Sequence, residues 1–407
     1  MAKRQLPAFR TSEMPPHMLD NATKEFIAAH RTEDPRTLAL QAKRYPDVDI
    51  REAVVQIEGW QLSREKLPTW AATEGITYPP RISMEQCSSE ATATYKASLA
   101  HGCNIADLTG GFGIDCSYMA RNFDKATYIE RNGLLCDIAR DNFDRLGLHH
   151  ITVINGNSEE QLTTLPQQEW IFIDPARRDG DGRKVVALSD CEPNIVVLEE
   201  LLMEKAGKVM IKCSPMLDIT AACRELHHVS EIHIVAVKNE CKELLFILSA
   251  EKPATPSVTC VNLRGDSKEL FTFTPQQEQE SAAVYTDKVG TYLYEPNAAI
   301  QKAGCFHSLA TATDTLKLHP NSHLFTSDSF VGEFPGRQFR VKSVHGFSKE
   351  EIKQISTLGK ANITVRNFHQ ETAVLRKRLK LADGGENYIF ATTLSKGEKV
   401  LIVCEKA

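Results

Sequence analysis

The chain has 407 residues, of which 25% are charged, with a formal net charge of −5. A chain of this length divides into about two to four domains. No stretch approaches the roughly 18 apolar residues of a membrane span and the N-terminus has no apolar signal segment, so we expect a cytoplasmic protein. The 11 cysteines include no C-x-x-C pair, which favours reduced thiols over a zinc ribbon or a disulfide framework.

Residues 1–80 predict a small helical module, because apolar residues recur at helical spacing and Asp34-Pro35 is typical of a helix start. Residues 81–250 then predict an α/β catalytic domain in which apolar strands alternate with amphipathic helices. The predicted strands are NIADL, ATYIE, ITVIN, WIFID, KVMIKCS, EIHIVAV and ELLFILS. The alternation indicates a parallel sheet with right-handed crossovers, but KNECK is too short for a crossover, so the seventh strand should run antiparallel.

The remaining residues predict a connecting segment and a C-terminal domain. Residues 251–333 contain two strand-like runs around an RGDSK turn and could form a small α+β subdomain, although the pattern assigns no fold. Residues 334–407 alternate strands with helices, one of which begins at a capping box from Ser348 to Glu351, and predict a small α+β domain. This domain carries 14 Lys and Arg residues against 7 Asp and Glu residues, so charge is segregated along the chain.

The stretch ADLTGGFGID places a glycine-rich turn between a predicted strand and a helix. Such a turn offers free backbone N–H groups and lets a nucleotide-like ligand approach closely. The dinucleotide fingerprint has a third glycine where this chain has Cys116, and Asp107 would lie close to a pyrophosphate, so a dinucleotide is disfavoured. A ligand with an ammonium group, such as S-adenosylmethionine, would suit Asp107.

The same stretch resembles the first motif of class I S-adenosylmethionine-dependent methyltransferases, whose Rossmann-like seven-stranded sheet also ends in an antiparallel hairpin. The resemblance implies that Glu130 binds the ribose, that Asn157 and Ser158 lie beside the adenine ring, and that Asp174-Pro175 occupies the catalytic loop. The cofactor-binding residues that it implies are Asp107, Thr109, Gly110, Gly111, Gly113, Asp115, Glu130, Asn157, Ser158 and Asp174. Upstream, Gln86 to Glu90 resemble a segment that caps the cofactor in several RNA methyltransferases, but Ser88 or Ser89 could equally be a helix cap.

The segment DPARR bears on what is methylated. It lacks the aromatic residue with which amino methyltransferases of nucleic-acid bases stack on their target. It is closer to the D-P-P-R of RNA uracil-5 methyltransferases, in which a cysteine ending the fifth strand attacks the pyrimidine, and Cys213 stands at about that point. Asp174 and Cys213 are therefore the candidate catalytic residues, although Cys213 could be a buried core thiol and adjacent strand residues such as Lys212 point to the opposite face.

The layout of the whole chain resembles a bacterial methyltransferase family with a C-terminal THUMP-like domain. THUMP domains bind RNA, so the resemblance implies a methylated base in RNA, either rRNA or tRNA, with no metal and no evident obligate protein partner. Arg177 and Arg178 in the catalytic loop, and Arg376 and Lys377 in the tail, are candidate phosphate contacts, but each pair could be a solvated surface. The alternatives are a small-molecule methyltransferase, a non-catalytic RNA-binding protein that retains the fold, and, more distantly, a nicotinamide enzyme.

Overall fold

The first three helices begin at carboxylate caps, and the sequence predicts the one at Asp34. Asp20, Asp34 and Asp49 each accept hydrogen bonds from backbone N–H groups in the first turn of the helix that follows. The computed structural model describes residues 19–177 and 187–407, and the chain divides into an N-terminal unit, residues 1–212, and a C-terminal unit, residues 213–407. The first helices are α1 (Asn21–His30), α2 (Pro35–Leu40), α3 (Ile50–Lys66), α4 (Pro68–Ala72), α5 (Arg81–Gln86) and α6 (Glu90–Leu99).

A parallel sheet forms the rest of the N-terminal unit. Its strands are β1 (Gly102–Asp107), β2 (Phe123–Glu130), β3 (Ile151–Asn155), β4 (Gln168–Ile173) and, after the short antiparallel ladder of β5 (Ala176–Arg177) and β6 (Cys191–Glu192), β7 (Ala206–Cys213). The intervening helices are α7 (Ile114–Met119), α8 (Gly133–Arg145), α9 (Ser158–Thr164) and α10 (Ile195–Lys205). The strand order is β3-β2-β1-β4-β7, so the polar residues that follow β1, β2 and β4 share one edge of the sheet.

The sheet has nine strands, two more than the seven that the sequence predicts. After α11 (Ile219–Glu225), the C-terminal unit contributes β8 (Val229–Val237), β9 (Glu240–Ser249), β10 (Ser257–Arg264) and β11 (Ser267–Phe273). The predicted antiparallel hairpin is present between β8 and β9, and β10 then pairs parallel to β8. The two extra strands are the runs around RGDSK, and they join the sheet because Val258, Cys260 and Val261 of β10 are buried.

A second, seven-stranded sheet follows. Its elements are α12 (Pro275–Glu280), β12 (Tyr292–Pro296), α13 (Ala298–Ala303), α14 (Phe306–Thr313), β13 (Leu316–Lys317), β14 (Phe325–Ser327), β15 (Gly336–His345), α15 (Lys349–Ser356), β16 (Asn362–Val365), α16 (Thr372–Leu379), β17 (Tyr388–Thr393) and β18 (Lys399–Lys406). The predicted capping box of α15 is present, with Glu351 accepting from the Ser348 backbone. The strands of residues 292–327, to which the sequence assigned no fold, belong to this sheet because β12 pairs with β15.

Two apolar cores stabilise this second sheet. Phe390 and Ile402 lie in one core, whereas Ile389 and Leu401 lie in the other, which α15 and α16 cover. Side chains of β17 and β18 therefore alternate between two buried faces. The α/β architecture with a mixed sheet and a C-terminal α+β region agrees with the prediction, and no helix in the described residues is long and apolar enough to cross a membrane.

Candidate functional site

The glycine loop lies between β1 and α7, and its three glycines meet different requirements. Gly111 and Gly113 have φ of +54° and +88°, in the left-handed region that other residues rarely adopt. A Cβ at Gly110 would come within 2.1 Å of the Tyr128 ring, whereas a Cβ at Gly111 would meet no atom closer than 3.8 Å. Packing thus requires glycine at position 110, while the backbone of Gly111 faces open space that a ligand could enter.

Residues outside the glycine loop hold it in place. Phe112, the loop's apolar residue, is buried and packs edge-on against Trp70 of α4 at a centroid distance of 5.0 Å. The Tyr128 hydroxyl donates to the Gly111 carbonyl at 2.5 Å, and the backbone of Thr77 exchanges hydrogen bonds with the side chain of Asn142. The loop is therefore fixed by packing as well as by its own backbone conformation.

The loop is hydrogen-bonded to residues at the ends of three strands. The Thr109 N–H donates to Asp107 at 2.9 Å, and the Gly111 N–H donates to Glu130 at 2.9 Å. The Asp174 N–H in turn donates to the Thr109 hydroxyl oxygen at 2.6 Å. The loop thus brings together three acidic residues that the sequence predicts for the site, at the carboxyl ends of β1, β2 and β4.

The Glu130 carboxylate keeps capacity for a ligand. Its two oxygens accept from the Gly111 and Asn132 N–H groups at 2.9 and 2.8 Å. A carboxylate has about four lone-pair sites, so two backbone donors leave room to accept hydrogen bonds from hydroxyl groups. The backbone donors orient the carboxylate at the same time.

Asp107 is a buried acid. Burial raises its pKa well above the ordinary value; the negative charges of Asp115 and Asp174 raise it further, while the Thr109 N–H and Lys212 lower it. A cation arriving beside Asp107 would favour the charged form. The group is therefore suited to an ammonium-bearing ligand.

A buried network of charges surrounds Asp115, and the sequence did not predict it. Asp115 lies in the first turn of α7, where it accepts from the Ser88 hydroxyl at 2.7 Å. Lys96 is fully buried with its ammonium 3.2 Å from Asp115, and the Lys212 ammonium lies 3.5 Å away on the other carboxylate oxygen. Lys212 also forms an ion pair with Asp174, so the network reaches the residue that follows β4.

The charge of Asp115 is set by this network. Burial raises its pKa, but Lys96, Lys212 and the Ser88 hydroxyl together outweigh burial and leave the pKa below its ordinary value. Asp115 was predicted to bind cofactor, yet its described contacts are these protein groups. Two features of the sequence indicate the network. Lys96 lies four residues after buried Thr92 on the buried face of α6, and Lys212 lies inside the apolar strand β7.

Residues 86–90 include the helix cap that the sequence offers as one alternative. Ser89 caps α6, accepting from the Thr92 N–H at 3.3 Å, as ordinary helix capping requires. Glu90 accepts from the Thr69 N–H and hydroxyl at 2.9 and 2.6 Å. Ser88, in contrast, belongs to the Asp115 network, so this segment connects a helix start to the site.

The residues predicted beside adenine lie at the same edge of the sheet. Asn157 is exposed and caps α9, accepting from the N–H groups of Glu159 and Glu160 at 2.8 and 3.3 Å. Ser158 is the first residue of α9. Asn157 thus has a structural role in the described contacts, and its position after β3 keeps it available to a ligand at the edge.

The sequence also predicts Arg177, Arg178 and Cys213 for the site. Arg177 is the last residue of β5, and Arg178 lies outside the described residues. Cys213 ends β7 and its side chain is buried. Because adjacent strand residues point to opposite faces and the Lys212 side chain reaches Asp174, strand alternation argues against a Cys213 thiol directed at Asp174.

The basic tail residues differ in their contacts. Arg376 donates to the Ala361 carbonyl at 3.0 Å and pairs with Asp383 at 2.5 Å, whereas Lys377 is exposed on α16. The structure therefore leaves Lys377 more accessible to a partner than Arg376. Within the described ranges, no group of three or more His, Cys, Asp or Glu residues could hold a metal ion.

One closely similar solved structure is that of a protein from Porphyromonas gingivalis W83 described as a candidate methyltransferase. It is 34% identical to this chain, with a TM-score of 0.86, and the match covers 95% of this chain and 98% of that chain. Family models match residues 292–335 as a ferredoxin-like domain and residues 336–406 as a THUMP domain-like region. The chain belongs to the same family as this candidate methyltransferase, with a THUMP-like region at its C-terminal end.

More distant solved structures match parts of this chain. A candidate class I S-adenosylmethionine-dependent methyltransferase from Listeria monocytogenes is 13% identical with a TM-score of 0.37, over 60% of this chain and 93% of that chain. An rRNA methylase from Streptococcus thermophilus is 12% identical with a TM-score of 0.30, over 39% of this chain and 94% of that chain. No curated protein matches the chain.

Proposed function

We propose that this methyltransferase takes its methyl group from S-adenosylmethionine and transfers it to a base in RNA. The observation that carries the proposal is the glycine loop, which is hydrogen-bonded to the acids at the ends of β1, β2 and β4. Family membership supports methyl transfer, and the THUMP-like match over residues 336–406 supports an RNA substrate. The exposed Lys377 belongs to the surface we propose for RNA phosphates, with Arg376 beside it.

The residues of the loop fit this cofactor. Asp107 would pair with the ammonium of the methionine part, because a cation there relieves the cost of a buried carboxylate. Glu130 would accept from the ribose hydroxyls, and the open space at Gly111 would let the cofactor approach the backbone. The sulfonium of the bound cofactor supplies an already activated methyl group. The contribution of the chain is therefore mainly to bind and orient the reactants.

Cofactor binding tests the site assignment. We expect Asp107→Ala and Glu130→Ala to abolish measurable S-adenosylmethionine binding in titration calorimetry, because each removes the partner of a charged or hydroxyl group. Asp124→Ala is a matched control: it removes an exposed acid at the start of β2, at the opposite end of the strand from Glu130. Wild-type affinity in both site variants would refute the assignment.

Transfer of labelled methyl groups tests the substrate class. Purified protein and labelled S-adenosylmethionine would be incubated with RNA and with small-molecule extract from cells lacking the protein. We expect label in the RNA fraction, and loss of that label with Asp107→Ala. Label only in small molecules would favour the small-molecule alternative, and tight RNA binding without any transfer would favour a non-catalytic protein.

A further inference from the structure

Lys212 connects the buried network to the position where methyl transfer is proposed. Its ammonium forms an ion pair with Oδ2 of Asp174 and lies 3.5 Å from a carboxylate oxygen of Asp115. The side chain is only 12% exposed, so the two carboxylates hold the ammonium in a largely desolvated setting. Lys212 is thus part of the site and more than a neighbour of Cys213.

The two residues are placed by the sheet. Ile173 of β4 and Ile211 of β7 are partners in the parallel register, so Asp174 and Lys212 follow side by side. The Asp174 backbone is held independently, because its N–H donates to the Thr109 hydroxyl oxygen at 2.6 Å. Asp174 is therefore fixed by its backbone through the glycine loop and by one side-chain oxygen through Lys212.

The second oxygen of Asp174 is the one available for chemistry. The Asp174 side chain is 37% exposed, and no hydrogen bond from the described residues reaches Oδ1. An ionised carboxylate only accepts hydrogen bonds. A group that approaches Oδ1 would therefore have to bring its own hydrogen on nitrogen or oxygen.

We propose that Lys212 is a positioning residue that holds Asp174 by Oδ2 so that Oδ1 accepts a hydrogen bond from a nitrogen or oxygen atom of the methyl acceptor. This inference rests on the proposed function and specifies its acceptor as a heteroatom of the base. A carbon acceptor would need a nucleophile to activate the ring, and Cys213 alternates to the face opposite Lys212.

The transfer balances without a covalent enzyme intermediate. The acceptor heteroatom forms a bond to the methyl carbon with its own lone pair. The carbon–sulfur bond breaks with its electron pair on sulfur, which leaves a neutral thioether. The hydrogen of the heteroatom passes as a proton to Oδ1 of Asp174 and from there to water. The role of Lys212 is to keep Oδ1 at hydrogen-bonding distance during this step.

The test separates positioning from cofactor binding. Wild-type protein, Lys212→Met, Lys212→Arg and the matched control Lys208→Met would be compared, since Lys208 lies on the same strand and packs over Trp170. With labelled S-adenosylmethionine and total RNA from cells lacking the protein, we expect Lys212→Met to lower kcat about 100-fold, the cost of a misplaced reactive group. Lys212→Arg keeps the charge and should recover about tenfold of this loss, while Lys208→Met should match wild type.

Two further readouts decide the outcome. The Kd for S-adenosylmethionine should stay within about threefold of wild type in every variant, and mass spectrometry of the digested RNA should place the methyl group on nitrogen or oxygen. Wild-type kcat in Lys212→Met, or a methyl group on carbon, would overturn the proposal. If Lys212→Met does not fold, Lys212→Gln serves in its place and should lower kcat about tenfold. Wild-type protein that labels no RNA would instead reject the proposed function itself.

Discussion

Each unit of the molecule contains a buried carboxylate between two cations, but only one of these carboxylates leads to a candidate site. In the N-terminal unit the carboxylate is Asp115, and in the C-terminal unit it is Glu295, which is 2% exposed. The cations are Lys96 and Lys212 in the first case and Arg337 and Arg366 in the second. Each cluster thus has one buried carboxylate and two cations, but the cations are lysines in the N-terminal unit and arginines in the C-terminal unit.

The Glu295 cluster is self-contained. Arg337 Nε donates to one carboxylate oxygen at 2.6 Å and Arg366 Nε donates to the other at 2.9 Å. Planar guanidinium groups fit carboxylates well, so both oxygens are satisfied. The arginines are about one-third exposed, with 36% and 34% of their side chains accessible, and they reach water. This cluster connects β12 to β15 and to the backbone region that follows β16.

The Asp115 network is shared with a second carboxylate. Lysine ammonium groups are compact point charges, and Lys212 divides its charge between Asp115 and Asp174. Lys96 is fully buried, and its ammonium lies 3.2 Å from the Asp115 carboxylate, which compensates its charge in part. The Asp115 network therefore differs from the Glu295 cluster in its connection to Asp174, the acid that we propose accepts a hydrogen bond from the methyl acceptor.

Removal of each central acid should distinguish the two clusters most strongly. Asp115→Ala removes the carboxylate that is paired with the buried Lys96 ammonium and should destabilise the N-terminal unit by about 3–5 kcal/mol. Glu295→Ala should cost less, about 1–3 kcal/mol, because both arginines can turn to water. The three tryptophans, Trp60, Trp70 and Trp170, all lie in the N-terminal unit, so their fluorescence during urea unfolding reports on that unit.

The control for this experiment is the Lys96→Met, Asp115→Ala double variant. It removes the buried ammonium together with the acid, so its fluorescence midpoint should lie above that of Asp115→Ala. Glu295→Ala should leave the fluorescence midpoint close to wild type and shift the transition seen by circular dichroism. A tryptophan midpoint that moves as far with Glu295→Ala as with Asp115→Ala would show that the comparison is wrong.

Asp107 is a third buried acid, and its pKa is raised instead of lowered as in Asp115. The ordinary pKa of this group is 3.8. As the pH rises above that value, the unfolded state loses the Asp107 proton before the folded state does, so the free energy of unfolding falls. Asp107→Asn removes this titration and can still accept from the Thr109 N–H. We expect the Tm of the variant to equal or exceed that of wild type at pH 8, and the difference to shrink toward pH 5.

In Asp107→Asn, stability should be kept or raised, whereas cofactor binding should be lost. Asp107→Asn offers no charge to an ammonium group, so calorimetry should detect no S-adenosylmethionine binding by a protein that is at least as stable as wild type. If the Tm of Asp107→Asn fell below that of wild type, and fell further below it at pH 8 than at pH 5, the Asp107 carboxylate would stabilise the fold. It would then resemble Asp115, and its assignment to a cationic ligand would lose support.

Local sequence patterns were sufficient for the strands and for the edge of the sheet that carries the acids. Asp107, Glu130 and Asp174 follow apolar runs whose alternation with helices places them at one edge. Lys96 and Lys212 were missed as a pair because they are brought together only by packing of α6 against α7 and by the pairing of β4 with β7. Likewise, the sequence assigns no fold to β12, because its partner β15 begins 40 residues after Pro296 and strand periodicity does not specify a partner.

The smallest effect is expected at Cys213, the residue next to Lys212. Its side chain is buried at the end of β7, and strand alternation places it away from the ion pair of Lys212 with Asp174. Cys213→Ser should therefore leave kcat for RNA methylation within about twofold of wild type, and the buried hydroxyl should cost about 1 kcal/mol of stability. The measurement is labelled methyl transfer at saturating RNA beside urea unfolding. Loss of transfer at unchanged S-adenosylmethionine affinity would make the thiol a nucleophile. It would move the reaction from a heteroatom to a ring carbon, and the Asp115 network would then have a structural role like that of the Glu295 cluster.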